Sequence, residues 1–170
     1  MTTKLELFEI LRIKSIEFQI HEHQPLYTVE DSEKLRGEIS GSHTKNLFLK
    51  NKKNSFFLFS CDEKAQVDLK QFSKSIEGKN LSFAKEEYLN KYLQIKPGSV
   101  SPFALLNDTE NEVKFYLDEK LAKSKLINFH PLINTTTISL KTNDFISFMV
   151  ENNKKINIFS LKSYSVVETL

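Results

Sequence analysis

Gly41-Ser42-His43-Thr44-Lys45-Asn46-Leu47-Phe48-Leu49-Lys50-Asn51 is the stretch on which the reading of the fold turns. It opens on turn-forming residues, runs into a short apolar segment and closes on the polar residues 50–54. That is the pattern of a buried strand entered from an exposed turn. Side chains alternate across a strand, so Lys45, Leu47 and Leu49 share one face, and Asn46 and Phe48 the other. Lys45 therefore stands at the mouth of an otherwise apolar row. A lysine so placed either lays its stem along apolar surface and keeps its ammonium in water, or points the ammonium into a pocket. Exposure statistics by themselves favour the first.

On the far side of the turn, residues 55–61 form a second apolar run, and the two runs predict an antiparallel hairpin. Toward the N-terminus, Leu7, Ile10 and Leu11 fall at helical spacing behind Thr2 and Thr3, predicting a helix over 4–14. Residues 16–21 alternate as a half-buried strand. Thr28 is placed to cap a helix over 29–39, with Glu30 and Asp31 in its first turn and Gly41 as its stop. Downstream, helices are expected over 68–76, 87–93, 118–122 and from an Asn143 cap onward. Strands are expected over 80–83, 103–106, 113–117, 126–129, 135–140, 156–159 and 164–167, with 103–106 and 113–117 flanking the turn 107–111. Interleaved helices and short strands predict a mixed α/β fold, a single domain over residues 1–170 around one bent sheet.

The bulk numbers agree with a globular domain: 170 residues, 39% hydrophobic and 27% charged. A net charge of +2 argues against indiscriminate coating of nucleic acid but permits a local basic patch. Arg12 and Arg36 are the only arginines, so base reading by guanidinium forks is not expected, whereas lysine contacts to phosphate are. Cys61 is the sole cysteine, which excludes an internal disulfide and a cysteine-based zinc site; it reads as a core thiol. The N-terminus lacks the build of a signal peptide and no apolar run approaches membrane length, so a cytoplasmic protein with no membrane partner is expected.

The familiar catalytic constellations are missing. There is no glycine loop for phosphate, no His-Glu-x-x-His and no Gly-x-Ser-x-Gly, and His21, His23, His43 and His130 show no metal-ligand spacing. No metal and no cofactor is expected. Three stretches join backbone-restricted residues to polar ones beside an apolar run: 41–51, 96–108 and 129–136. Binding loops on a rigid sheet have this composition, and so do ordinary tight turns.

Their order along the chain is more specific than any one of them. His23-x-Pro25 and Thr28-Val29-Glu30 come first, then His43-Thr44-Lys45-Asn46-Leu47-Phe48-Leu49, then Leu81-Ser82-Phe83-Ala84. Pro97-Gly98-Ser99-Val100-Ser101-Pro102-Phe103, Asn107-Asp108 and Phe129-His130-Pro131 with Asn134-x-Thr136 follow. From about residue 4 to 160 this closely resembles the YbaK/ProX family of aminoacyl-tRNA deacylases, related to the editing domain of bacterial prolyl-tRNA synthetase, and most nearly its free-standing ProX branch. The resemblance implies a mostly antiparallel mixed sheet curled around a pocket with helices outside. It also implies hydrolysis of alanine mischarged on proline tRNA, with the acceptor end of that tRNA as partner and the synthetase as a further one.

Residue by residue, the family's lysine falls on Lys45 and its Gly-x-x-x-Pro loop on Gly98 to Pro102, with Ser99 inside the loop. Asn46, Thr28, Ser101, Pro102 and His130 are the positions implied to meet substrate, His130 either by contact or by organising its loop. Ser101 stands where many relatives carry threonine, and Gln24-Pro25 where many carry two prolines. Lys50, Lys52 and Lys53 are expected to meet tRNA phosphates. An aminoacyl ester is already activated, so positioning and oxyanion stabilisation suffice without a dedicated nucleophile. Lys45 and the N–H groups of the Gly98 loop are the donors this chemistry needs. Two alternatives stay open: a deacylase for cysteine, serine or threonine, or a non-catalytic module that binds tRNA or a synthetase.

Overall fold

The expected hairpin lies at the heart of the larger of two sheets. In a computed structural model, residues 1–25 and 39–170 are described, so Thr28 and the helix expected over 29–39 lie outside the described residues. Helix α1 (Lys4–Ile13) begins with a capping box, Thr3 and Glu6 each accepting the other's backbone N–H, and buries Leu7, Phe8 and Leu11. Strand β1 (Phe18–Glu22) follows, then β2 (Thr44–Lys50) and β3 (Phe56–Asp62). Helix α2 (Leu69–Ser75) is capped by Asp68, whose carboxylate accepts from Lys70 and Gln71. Strand β4 (Ser82–Phe83) precedes α3 (Glu86–Tyr88), which widens into a π turn over Leu89–Leu93. A 3-10 helix (Pro102–Asn107), β5 (Val113–Asp118), α4 (Glu119–Ala122), β6 (Leu126–Phe129), β7 (Thr136–Lys141), α5 (Thr142–Glu151), β8 (Ile156–Ser160) and β9 (Ser165–Thr169) complete the order.

The architecture is the expected mixed α/β fold with mostly antiparallel pairing, but its strands divide between two sheets. One has the order β1-β7-β6 and is antiparallel throughout. The other has the order β4-β2-β3-β5-β8-β9, in which β3, β5 and β8 run parallel. The stretch before β2 stitches the two together. Ser42 bridges Ile127, its N–H donating to Leu126 and its carbonyl accepting from Asn128. Gly41 makes this approach feasible: its φ is +99°, and a Cβ there would sit 2.9 Å from the Leu126 Cβ.

Two consequences position the site. Because β3, β5 and β8 are parallel, their carboxyl ends and the start of β2 share one edge of the sheet. The β2–β3 turn and the starts of β5 and β8 share the opposite edge. Strand β3, paired on both sides and covered on both faces, is buried from Phe56 to Cys61. Phe56 and Leu58 enter one core with Phe48, Phe103 and Phe115; Phe57, Phe59 and Cys61 enter another with Leu49, Phe72, Tyr116 and Phe159.

Three local expectations are corrected. Residues 103–106 form part of a 3-10 helix, not a strand, because Ser101 accepts from the Phe103 N–H and Pro102 sets the first turn. Consequently β5 does not fold back on that segment but pairs in parallel with β3. Asn143 does not cap α5, which begins one residue earlier at Thr142, where the Thr142 N–H donates to Lys125.

Cys61 is the core thiol the sequence implied. Burial pushes its pKa up to about 12, against a partial opposing pull from the Lys45 ammonium. At pH 7 roughly one molecule in 10⁵ would carry the thiolate, too few for a nucleophile. Cys61→Ala is expected to lower stability by about 1–2 kcal/mol through a small cavity and to leave turnover unchanged. Chemical denaturation paired with the deacylation assay below checks both; loss of turnover in the folded variant would restore a catalytic role.

Candidate functional site

The site builds from one end of β2. Lys45 lies opposite Cys61 and Asn46 opposite Ser60. Alternation sends their side chains to opposite faces, and their contacts follow. The Lys45 ammonium donates to the carbonyl of Ala65, in the connection after β3. The Asn46 amide spans the other side: its Nδ2 donates to the Val100 carbonyl at 3.0 Å, and its Oδ1 accepts from the Ser60 hydroxyl at 2.6 Å. Asn46 is thus a strut holding the Gly98–Pro102 loop against the sheet.

The loop itself is shaped by its own residues. Gly98 has φ of +83°, a conformation that favours glycine. The Ser99 N–H closes a turn onto the Lys96 carbonyl, and the Ser101 carbonyl accepts from the Ala104 N–H. Ser99, Ser101 and Pro102 are buried. Among the described residues the N–H groups of Gly98, Val100 and Ser101 donate to no protein acceptor. Unpaired backbone donors at the end of a strand are suited to oxyanion stabilisation.

His130 follows β6 on the neighbouring sheet. Its Nδ1 donates to the Thr136 carbonyl at 2.9 Å, bracing the β6–β7 turn and leaving Nε2 as the acceptor of the neutral ring. Burial holds its pKa below the usual imidazole value; the Thr136 bond opposes this and the His23 ring, 5.9 Å away, adds to it. His23 donates through Nδ1 to the Gln24 carbonyl and accepts at Nε2 from the Thr137 hydroxyl. Because the unfolded chain takes up the His130 proton near pH 6.5 and the folded one resists it, His130 should contribute stability above that pH that is lost as the pH falls. His130→Asn is expected to flatten the decline in Tm between pH 7 and pH 5 relative to wild type. Parallel declines would show that His130 is not the group responsible.

The structure joins Asn46 to the Gly98–Pro102 loop through hydrogen bonding and places Lys45 at the same strand end on the other face. His130 makes no hydrogen bond to either group. Lys50 at the far end of β2, with Lys52 and Lys53 in the turn beyond it, lies roughly 17 Å from Lys45 by strand rise. Lys50 donates to Asn54 and to the Tyr88 hydroxyl and lies 4.5 Å from the Tyr88 ring centre. Ser60 was missed by sequence reasoning, although the signal was present. It is the one hydroxyl within Phe56-Phe57-Leu58-Phe59-Ser60-Cys61, and a hydroxyl buried in such a run needs a partner.

At the same edge, beyond Ala65, a cavity of about 500 Å³ opens over the carboxyl ends of β3, β5 and β8. Asp62 there pairs with Lys120 at 2.8 Å, while Asp118 accepts from the N–H groups of Asp62 and Lys120. Burial raises the Asp118 pKa above the usual carboxylate value. Among the described residues no helix is long and apolar enough to cross a membrane.

Residues 23–148 match the model of the aminoacyl-tRNA editing domain family. The chain is 35% identical over 147 residues to the prolyl-tRNA editing protein ProX of Acetoanaerobium sticklandii, covering 86% of this chain and 90% of that one. It is also 35% identical over 148 residues to the prolyl-tRNA synthetase associated domain-containing protein 1 of Danio rerio, covering 86% and 80% respectively. The solved structure of a proposed trans-editing enzyme for prolyl tRNA synthetase superposes with a TM-score of 0.67 at 16% identity, over 91% of this chain and 94% of that one. At that identity the likeness bears on the fold alone.

Proposed function

The chain belongs to the aminoacyl-tRNA editing domain family, and we propose that it is a trans-editing deacylase that hydrolyses alanine from mischarged proline tRNA. The observation that carries this reading is the Asn46–Val100 hydrogen bond, which holds the Gly98–Pro102 loop at the strand end bearing Lys45. The substrate is an ester between the amino acid and the terminal ribose. Water attacks the carbonyl carbon, its lost proton passes to the ribose oxygen as the ester bond breaks, and the products are free amino acid and free tRNA. The developing oxyanion faces the N–H groups of Gly98, Val100 and Ser101, unpaired among the described residues, with Lys45 supplying positive charge from the other face of the same strand end. The relative from Acetoanaerobium sticklandii supports prolyl-tRNA as the setting. The vicinal hydroxyl of the terminal adenosine delivers the water, since the residues supply no dedicated nucleophile.

Discrimination between small amino acids is the demanding part, because one methylene is worth only about 1–3 kcal/mol. The test is a deacylation panel on proline tRNA charged with alanine, cysteine, serine or proline. Alanine is expected to be released fastest and proline spared. Preference for cysteine or serine would move the substrate while keeping the chemistry. No release from any substrate, by protein that still binds the tRNA, would leave a binding module.

A further inference from the structure

The edge of the six-stranded sheet opposite Lys45 carries a second cavity of about 410 Å³, where the start of β5 extends past the start of β8. Lys114, Lys154 and Lys155 line it together with Asn111, Asn153 and Asn157, and among the described residues no carboxylate does. Lys154 is the informative member. It is only 8% exposed, and its Nζ donates to two neutral acceptors, the Asp108 carbonyl and, at 2.7 Å, Asn111 Oδ1. The nearby Asp108 carboxylate is turned to the N–H groups of Glu112 and Val113. Among the described residues no carboxylate pairs with the Lys154 ammonium, and burial presses its pKa below the usual lysine value, partly opposed by Asp108. A buried cation with only neutral hydrogen-bond partners among the described residues, flanked by two further lysines, suits an anion.

We infer that this cavity binds a phosphate group, and that the group belongs to the backbone of the RNA whose charged end lies at Lys45. The inference rests on the proposed function for its RNA. Geometry supplies the rest: the β2–β3 turn with Lys52 and Lys53, the start of β5 with Lys114 and the start of β8 with Lys154 and Lys155 lie along one edge of the sheet. That edge is roughly 17 Å from Lys45, five residues of strand rise along β2. A charged end held at one edge leaves its upstream phosphates free to meet the other. Lysines on phosphates act as point charges and release counterions, so they leave a signature in salt dependence.

The test measures affinity for proline tRNA against salt for wild type, Lys114→Gln/Lys155→Gln, and the control Lys70→Gln/Lys74→Gln, which removes the same charge from α2. Lys154 is left in place because its loss could unfold the loop it holds. The first variant is expected to bind on the order of tenfold more weakly, with a salt slope lower by about 2, and the control to match wild type. Equal losses in both variants would mean a bulk charge effect, and an unchanged first variant would mean no contact; either overturns the proposal. A Tm rise with inorganic phosphate that the first variant loses, with its tRNA affinity unchanged, would assign the cavity to free phosphate and overturn the RNA assignment. Failure of the functional reading shows separately: wild type would release no amino acid from any charged tRNA while the binding difference persisted.

Discussion

Lys45→Ala is expected to slow single-turnover hydrolysis of alanine from proline tRNA by about 10²–10³-fold, the usual cost of losing one stabilising donor. The fold should stay intact. Lys45 is the first charged position of a strand face that continues through Leu47 and Leu49, and among the described residues its ammonium is tied only to the Ala65 carbonyl. Removing it therefore deletes a charge and one hydrogen bond while the apolar row behind it stays packed. A change in stability within about 1 kcal/mol is expected. The same substitution removes the positive charge felt by Cys61, which is too buried for its thiol to respond in function. Circular dichroism and a thermal scan establish folding, and a rate within a few-fold of wild type would remove Lys45 from the chemistry.

What could be read in the sequence was local and periodic. The alternation across 45–49 correctly separated Lys45 from Asn46, and the turn at 50–54 correctly implied the β2–β3 hairpin that sets Lys45 against Cys61 and Asn46 against Ser60. Capping chemistry helped place α1, because Thr3 acts through a neighbour three residues on. Non-local pairing was not readable. Nothing in Val113 to Asp118 announces that its partners are β3 and β8 in parallel, so pattern alone offers only the apolar run across the turn 107–111 as a neighbour. That run, Phe103-Ala104-Leu105-Leu106, is apolar at every position and fits a strand or a helical turn equally by pattern. Ser101 and Pro102 decided it. The division into two sheets was hidden for the same reason, since it depends on Ser42 meeting Ile127, 85 positions away. Lys154 was invisible in another way: Asn-Asn-Lys-Lys between a helix and a strand reads as a solvated turn, and only tertiary packing buries one of its lysines.

Replacing the terminal adenosine of the charged tRNA by its 2′-deoxy analogue is expected to remove most turnover while leaving binding nearly unchanged. The reasoning starts from the residues available as a base. His43 donates through Nε2 to the Ile39 carbonyl, and His130 commits Nδ1 to Thr136, so neither ring is held in place by a carboxylate among the described residues. Cys61 is protonated and buried, and Lys45 is needed as a charge. A positioned general base contributes about 10²–10⁴-fold, so a site without one must draw that assistance from the substrate. The hydroxyl beside the ester is the group within reach, and it can guide the water without any side chain moving. Affinity is expected to rest on phosphates, which the deoxy sugar leaves untouched. Single-turnover hydrolysis at saturating enzyme, with deoxy and ribose substrates side by side, separates the two contributions. A deoxy rate close to the ribose rate would mean the protein supplies its own base. The Nε2 of His130, unpaired among the described residues and kept neutral by burial, is the first atom to test for that role.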